Sequence, residues 1–364
     1  MGSADEAPTG LSGLLADPPP RRRRRLWWRV IAGLVVCALL LLGAVLTGTR
    51  YLQHRLGEQI VRIPDPFHGL TDRPVKPDVG TARAATNILL LGTDRRSDEP
   101  TTGTAARAPA WVPGLQRSDT MMLVHVAGDR RSVSVVSIPR DAWVPVPGHG
   151  HAKVNAAFSW GGPSLTVQTV ERLTGVRIDH LAVIDWDGFR RVTDLLGGVT
   201  VDVPQTVYDS ARGRTWTAGA HHLDGAAALS YVRQRHGLPR GDLDRVERQQ
   251  YLLHQLLNKV AGQGLWSNPV RRYRMLDAVT ANLSVDAAWS FSRMRHLATQ
   301  LAELPPQAFH FTTAPVAGTG MVGSQSVVFL DPVSDRDLFD AINEDRAPAW
   351  FASHPARRLP ARVG

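Results

Sequence analysis

Charged side chains sit where apolar runs stop. Asn87-Ile-Leu-Leu-Leu-Gly92-Thr93-Asp94-Arg95-Arg96 carries an apolar run into a glycine and then a carboxylate. That is where open α/β sheets present ligand groups, so Asp94 is expected to face a crevice. Arg117-Ser118-Asp119-Thr120 places Arg and Asp just before a strand, and Ser137-Ile138-Pro139-Arg140-Asp141 places them just after one. Charges flank many strands simply because strands end at the surface, but three such clusters so close together favour a shared site. A fourth segment is Tyr231-Val232-Arg233-Gln234-Arg235, followed by Arg240-Gly241-Asp242-Leu243-Asp244-Arg245-Val246-Glu247-Arg248-Gln249-Gln250. Extended, Arg233 and Arg235 share a side. On a helix starting at Asp242, the residues Asp242, Arg245 and Gln249 abut the apolar stripe of Leu243, Val246, Leu253, Leu257 and Val260. Asp244 and Arg248 fall on the opposite side and fit a solvated face.

Arginines arriving from four segments beside carboxylates repel one another unless a multivalent anion joins them. A phosphate or pyrophosphate supplies that charge, and planar guanidinium groups bind it bidentately. Asp94 and Asp119 suit a hard cation such as Mg²⁺, which takes one or two protein carboxylates and completes its shell with water and substrate.

The elements that must position these groups alternate. Ile88 to Leu91, Met121 to Val126 and Ser132 to Ile138 have strand length and β-branched content. Helices are expected over Leu165 to Thr174 and Gly188 to Leu196, the latter closed by Gly197 and Gly198, with strands at Leu181 to Ile184 and Val199 to Val203. Helical stretches follow near Asp242 to Val260, Pro269 to Ala281, Ala287 to Leu304 and Asp335 to Asn343, with a strand at Ser326 to Leu330. Such alternation favours an α/β sandwich over a bundle or barrel.

The 364 residues, 43% apolar and 21% charged, exclude global disorder and a fibrous repeat. The net charge is +9, and only Lys76, Lys153 and Lys259 are lysines. The single cysteine, Cys37, excludes a disulfide framework and a cysteine-based zinc or iron–sulfur site. Residues 1–25 form a basic tail ending in Arg21 to Arg25, and 26–48 form a membrane-spanning helix with Trp27 and Trp28 at its edge. The positive-inside rule keeps the arginines cytoplasmic and sends the rest outside the cell. A Pro-rich stalk is expected over 49–86, the main domain over 87–346 and a loose tail over 347–364.

Gly318-Thr-Gly320-Met-Val-Gly323 matches a dinucleotide fingerprint but runs into a strand where a helix is required, and is set aside. His149 with His151, and His221 with His222, lack metal-ligand spacing with a third partner. An extracellular domain excludes nucleic acid as the partner of the basic charge.

The sequence resembles the LytR-CpsA-Psr family of bacterial cell-envelope proteins. The resemblance rests on NILLLGTDRR at Asn87 to Arg96, RSDTMML at Arg117 to Leu123, SIPRD at Ser137 to Asp141 and KVNAAFSWGGP at Lys153 to Pro163. It continues through DGF at Asp187 to Phe189, LLGGVTVDVP at Leu195 to Pro204, LDGAAALSYVRQR at Leu223 to Arg235 and RGDLDRVERQQ at Arg240 to Gln250. The first motif commonly reads GSDSR, from which Thr93 and Arg95 depart while Asp94 is kept. The arginine- and alanine-rich composition suggests a high-GC actinobacterium.

The resemblance implies an α/β/α sandwich with a central mixed sheet and an apolar channel for a polyprenyl tail. It implies a Mg²⁺-dependent phosphotransferase that moves a glycopolymer from a polyprenyl-pyrophosphate carrier to peptidoglycan. By it, Asp94 and Asp119 are the metal-associated carboxylates, and Arg117, Arg140, Arg233, Arg235, Arg245 and Gln249 bind pyrophosphate. Lys153 and Asp242 match further polar positions. The expected catalytic set is Asp94, Asp119, Arg140 and Asp242, with the hydroxyl proton accepted by Asp242 or one of the other two aspartates. A hydrolase of the same lipid and a non-catalytic lipid-binding regulator are the alternatives, and the short cytoplasmic tail weighs against the regulator.

Overall fold

The computed structural model describes residues 51, 54, 55, 57–95, 101, 102, 106, 111–262, 269–301 and 303–363. The cytoplasmic tail and the membrane helix expected over 26–48 lie outside the described residues. No helix among those described is long and apolar enough to cross a membrane.

Among the described residues, seven strands build the central sheet: β1 (Val61–Ile63), β2 (Thr86–Arg95), β3 (Gln116–Val126), β4 (Val133–Ser137), β7 (His180–Asp185), β12 (Leu283–Asp286) and β13 (Phe309–Thr313). Their order is β1-β12-β7-β2-β3-β4-β13, with β2 parallel to β7 and antiparallel to β3. Hairpins fill the connections: β5 (Trp143–Val146) with β6 (Gly150–Lys153), β8 (Val199–Val203) with β11 (Gly219–Leu223), β9 (Val207–Asp209) with β10 (Arg214–Trp216), and β14 (Val316–Val322) with β15 (Gln325–Leu330). The Gly318 to Gly323 motif lies in the last of these.

Period-two alternation sorts the central strands onto two faces. Leu89, Leu91, Met121, Leu123, Leu181 and Val183 pack with α1 (Asn155–Thr174) and with residues of two later helices. On the other face Leu90, Met122 and Val124 meet Leu253, Leu257 and Leu297. Further helices are α2 (Trp186–Leu195), α3 (Gly225–Arg233), α4 (Asp242–Gly262), α5 (Pro269–Ala281), α6 (Phe291–Leu301), α7 (Pro332–Asn343) and α8 (Ala347–Ser353). Leu253 and Leu257 belong to α4 and Leu297 to α6, so helices cover both faces of a mixed sheet. This is the expected α/β/α sandwich. Helix α1 is broken at Gly162, where φ is 60° and ψ is −150°, just before Pro163. The proline removes a helical N–H and only glycine adopts that backbone cheaply, so the first turns form a separate short segment.

Four expectations change. Residues 60–86, expected as part of a stalk, are instead folded into the domain. β1 pairs with β12, Ile60 and Ile63 are buried, and the Arg73 guanidinium grips Glu171 at 2.7 Å. The tail over 347–364 is packed because Trp350, Phe351 and Val363 are buried in the cores. The compact unit thus runs over Arg55–Gly364, wider than 87–346. β2 does not stop at Gly92, and β3 starts early, so Arg117 and Asp119 lie inside a strand. Finally, Arg233 closes helix α3 and its neighbour Gln234 is the extended C-cap, so the stretch Tyr231 to Arg235 is not a strand. The apolar Ala-Ala-Ala-Leu run before it starts on the Asp224 N-cap and carries the helix through.

Candidate functional site

The β2–β3 ladder contains a bulge. Thr120 faces Gly92 and Ser118 faces Thr93, so Asp119 is the extra residue with no partner across the ladder. Bulges re-aim side chains and recur next to active sites. Gly92 permits the close approach, since a Cβ there would lie 2.9 Å from the Thr120 Cβ.

Three acidic groups and the cations meet at this bulge. The turn after β4 brings Arg140, whose Nη1 bonds the Asp119 carboxylate. Its Nη2 lies 3.5 Å from Asp242 Oδ1 and its Nε 3.7 Å from Asp141 Oδ2. At the N-terminus of α4, Asp242 Oδ1 lies within ion-pair distance of Arg245 Nη2 (3.0 Å) and Arg235 Nε (3.2 Å), while Oδ2 accepts the Arg245 hydrogen bond at 3.2 Å. Arg245 donates to the Asp119 carbonyl oxygen at 3.5 Å, which ties α4 to the bulge. Lys153, ending β6, lies 3.0 Å from Asp141 Oδ1.

Burial sets the electrostatics. Arg245 is only 4% exposed, and burial lowers its pKa to about 10 although Asp242 and Asp119 pull upward against Arg140 and Arg235. It is therefore still a cation at neutral pH. For Arg140, burial pulls the pKa down but Asp119, Asp242 and Asp141 outweigh it, leaving it above the usual arginine value. Among the described residues, the Nε atoms of Arg140 and Arg245 are buried without a hydrogen-bond acceptor. Such donors call for an oxygen-rich ligand.

An apolar cavity of about 190 Å³ adjoins this cluster on the α4 face of the sheet. Leu90, Met122, Ile184, Trp186, Phe189, Val232, Leu253 and Leu256 wall it, with Gly92, Thr120 and Gln249 at the charged end. Arg233 lies over the Trp186 ring, 5.3 Å from its centroid.

The expected residues are therefore largely gathered. Asp119, Arg140, Lys153, Arg235, Asp242 and Arg245 form one ion-pair network, and Arg233 and Gln249 flank the cavity. Arg117 is exposed and lines a separate cleft together with Lys153. The Asp94 backbone pairs with Arg117 at the end of β2. Its side chain lies outside the described residues.

Asp119 has one oxygen without a hydrogen-bond partner among the described residues. Among the described residues, no three His, Cys, Asp or Glu side chains are grouped so as to hold a metal ion by themselves. One or two carboxylates next to an anion site is the donor set Mg²⁺ takes, so the residues fit that ion.

Two groups were missed. Asp141 bridges Lys153 and Arg140, and its place beside Arg140 in Ser137 to Asp141 was the available signal. Asp244 and Arg248 are not solvated but buried, Arg248 donating to Gln234 Oε1 at 2.6 Å over the Tyr231 ring. Helix α4 is covered on a second side, where Tyr251, Leu252 and Leu256 pack with β8, β11 and α3. A periodicity with one apolar stripe does not reveal that second contact. His149 stacks on Trp160, and His221 meets Trp216 edge-on.

A sequence profile of the LytR_cpsA_psr family matches residues 68–336. The chain is 35% identical over 305 residues to the cell wall biosynthesis protein LcpA of Corynebacterium glutamicum, covering 75% of this chain and 58% of that one. It thus spans less than two thirds of the length of that relative. It is 31% identical over 275 residues to the polyisoprenyl-teichoic acid–peptidoglycan teichoic acid transferase TagU of Oceanobacillus iheyensis, covering 72% of this chain and 78% of the relative. The fold is similar to that of a LytR-Csp2A-Psr enzyme from Actinomyces oris, with a TM-score of 0.60 at 23% identity, covering 78% of this chain and 96% of that structure. A profile match over most of the folded unit, together with relatives above 30% identity, shows that the chain belongs to the LytR-CpsA-Psr family.

Proposed function

We propose that this protein is an extracellular phosphotransferase, anchored by the helix at 26–48, that moves a glycopolymer from a polyprenyl-pyrophosphate carrier to peptidoglycan. One observation carries the reading: a buried cationic cluster shares a wall with an apolar cavity. Thr120 and Gln249 line the cavity, while Asp119 and Arg245, one and four residues away, belong to the ion-pair network. A prenyl pyrophosphate has that same polarity, a double phosphate joined directly to a hydrocarbon. An apolar cavity of ~150 Å³ binds benzene, so the cavity suits roughly the first isoprene unit.

Arg140 and Arg245 would take the phosphate oxygens, with Arg233, Arg235, Arg117 and Lys153 around them and Gln249 at the junction with the tail. Asp242 acts through others: its carboxylate sits among three guanidinium groups, an ion-pair arrangement that holds them together and makes it a positioning residue. Asp119, and by the family resemblance Asp94, would hold Mg²⁺. When bound, the ion neutralises pyrophosphate charge. A sugar hydroxyl attacks the phosphorus bearing the glycan and polyprenyl phosphate leaves. Catalysis of this kind is positioning and charge stabilisation, so arginines matter more than a strong nucleophile. The names of the relatives support wall glycopolymer transfer as the reaction.

The test incubates the full chain in detergent with polyprenyl-pyrophosphate-linked glycan, peptidoglycan and Mg²⁺, with or without chelator. Glycan should appear on peptidoglycan, and chelator should suppress it. Release of phosphorylated glycan to water at an equal rate with and without peptidoglycan would identify a hydrolase, and binding without turnover a regulator.

A further inference from the structure

A second cleft, of about 240 Å³, lies among the β5/β6 hairpin, the first turns of α1 and Arg117, apart from the apolar cavity. It is walled by Arg117 of β3, Trp143 and His151 of the β5/β6 hairpin, Asn155 and Trp160 of the first turns of α1, and Gln325. Trp160 stacks on His149 with ring centroids 4.7 Å apart, yet remains 45% exposed. Lys153, also in the wall, connects the cleft to the charge cluster through Asp141 and Arg140.

We infer that this cleft holds the acceptor, a glycan strand of β-linked N-acetylated amino sugars; the inference rests on the phosphotransferase reading above. Aromatic rings pack against the C–H faces of sugars, while amides and imidazole bond hydroxyl and acetamido groups, and the cleft combines Trp143 and Trp160 with Asn155, Gln325 and His151. The reaction gives a second reason. The acceptor hydroxyl oxygen bonds to the phosphorus that carries the donor glycan. The bond from that phosphorus to the bridging oxygen breaks, its electron pair leaves with polyprenyl phosphate, and the hydroxyl proton passes to solvent. Entering and leaving oxygens are roughly in line. With the lipid tail held by the apolar cavity, the acceptor needs a separate entry to the phosphate cluster, and this cleft borders that cluster through Lys153, Asp141 and Arg140.

The test measures binding to the full chain in detergent of two probes, a soluble GlcNAc–MurNAc tetrasaccharide and farnesyl pyrophosphate. Trp160→Ala should weaken tetrasaccharide binding by roughly tenfold or more while farnesyl pyrophosphate affinity stays within about twofold. Gln325→Ala, on the other wall, should act the same way more weakly. In transfer assays both should raise the KM for the acceptor and spare kcat. Unchanged tetrasaccharide affinity in both variants, or a wild-type chain that does not bind the tetrasaccharide, overturns the inference. Loss of affinity for a lipid-linked saccharide with the tetrasaccharide unaffected assigns the cleft to the donor and also overturns it. Failure of the wild-type chain to bind farnesyl pyrophosphate defeats the phosphotransferase reading instead, whatever the tetrasaccharide does.

Discussion

Arg140 pairs with Asp119 at the one position where the β2–β3 ladder skips a residue. Three residues earlier Ser137 still pairs with Met122, so the two charged groups meet where both strands leave regular pairing. The bulge and the Ile138-Pro139 turn are thus one device, bringing a carboxylate and a guanidinium to the same sheet end.

Arg140→Lys tests how much the forked shape matters. One guanidinium faces Asp119, Asp141 and Asp242 through three different nitrogens, and a point-charge ammonium does not span them. Transfer should fall about 100-fold or more with circular dichroism unchanged. A lysine variant with wild-type turnover would show that charge alone suffices.

Gly92→Val tests the wall between head and tail. Its Cβ would meet the Thr120 Cβ at 2.9 Å, and its methyl groups would enter the apolar cavity. Farnesyl pyrophosphate affinity should drop more than inorganic pyrophosphate affinity, and stability should fall by about 1–3 kcal/mol. Equal losses for both ligands in titration calorimetry would place the cavity outside the lipid site.

The charged clusters were legible because strand ends announce themselves: an apolar run into Gly92-Thr93-Asp94, or Ser137-Ile138 into Pro139-Arg140-Asp141. Their convergence was legible through repelling arginines, which require a shared anion. The bulge was not, although a glycine inside a strand pattern marks one and Gly92 was the available sign. The burial of Arg248 was invisible because it depends on a tertiary partner, the α3 layer, that no period in α4 encodes. Likewise Trp350 and Phe351 sit in a segment whose Pro- and Arg-rich flanks resemble a tail, and only packing against the sheet makes it a helix.

Gln234→Ala tests the buried layer between the two arginines. Arg233 and Arg235 flank Gln234, whose Oε1 accepts from Arg248 inside the protein. Burial lowers the Arg248 pKa, so removing an acceptor leaves an expensive cation. Thermal unfolding should report a loss of about 2–4 kcal/mol. Affinity for farnesyl pyrophosphate should fall as well, since the helix end carrying Arg233 loses its tether. A variant as stable as wild type would mean that Arg248 is satisfied without Gln234.

Asp335 in the first turns of α7 gives a pH dependence whose sign is fixed by its surroundings. Burial, reinforced by Asp331 and opposed by Arg357, raises its pKa to about 7. Its Oδ1 is buried without a hydrogen-bond partner among the described residues. Unfolded, the group ionises near its ordinary value of 3.8, so between pH 4 and 7 the folded state holds the extra proton. Stability then falls as pH rises through that window and is flat above it. Asp335→Asn removes the penalty while keeping the shape. The variant should therefore gain little near pH 4 and on the order of 2 to 4 kcal/mol at pH 8, measured by denaturant melts across the range. A gain independent of pH would mean that Asp335 does not titrate in this window, and a loss at pH 8 that its carboxylate is held by a favourable partner.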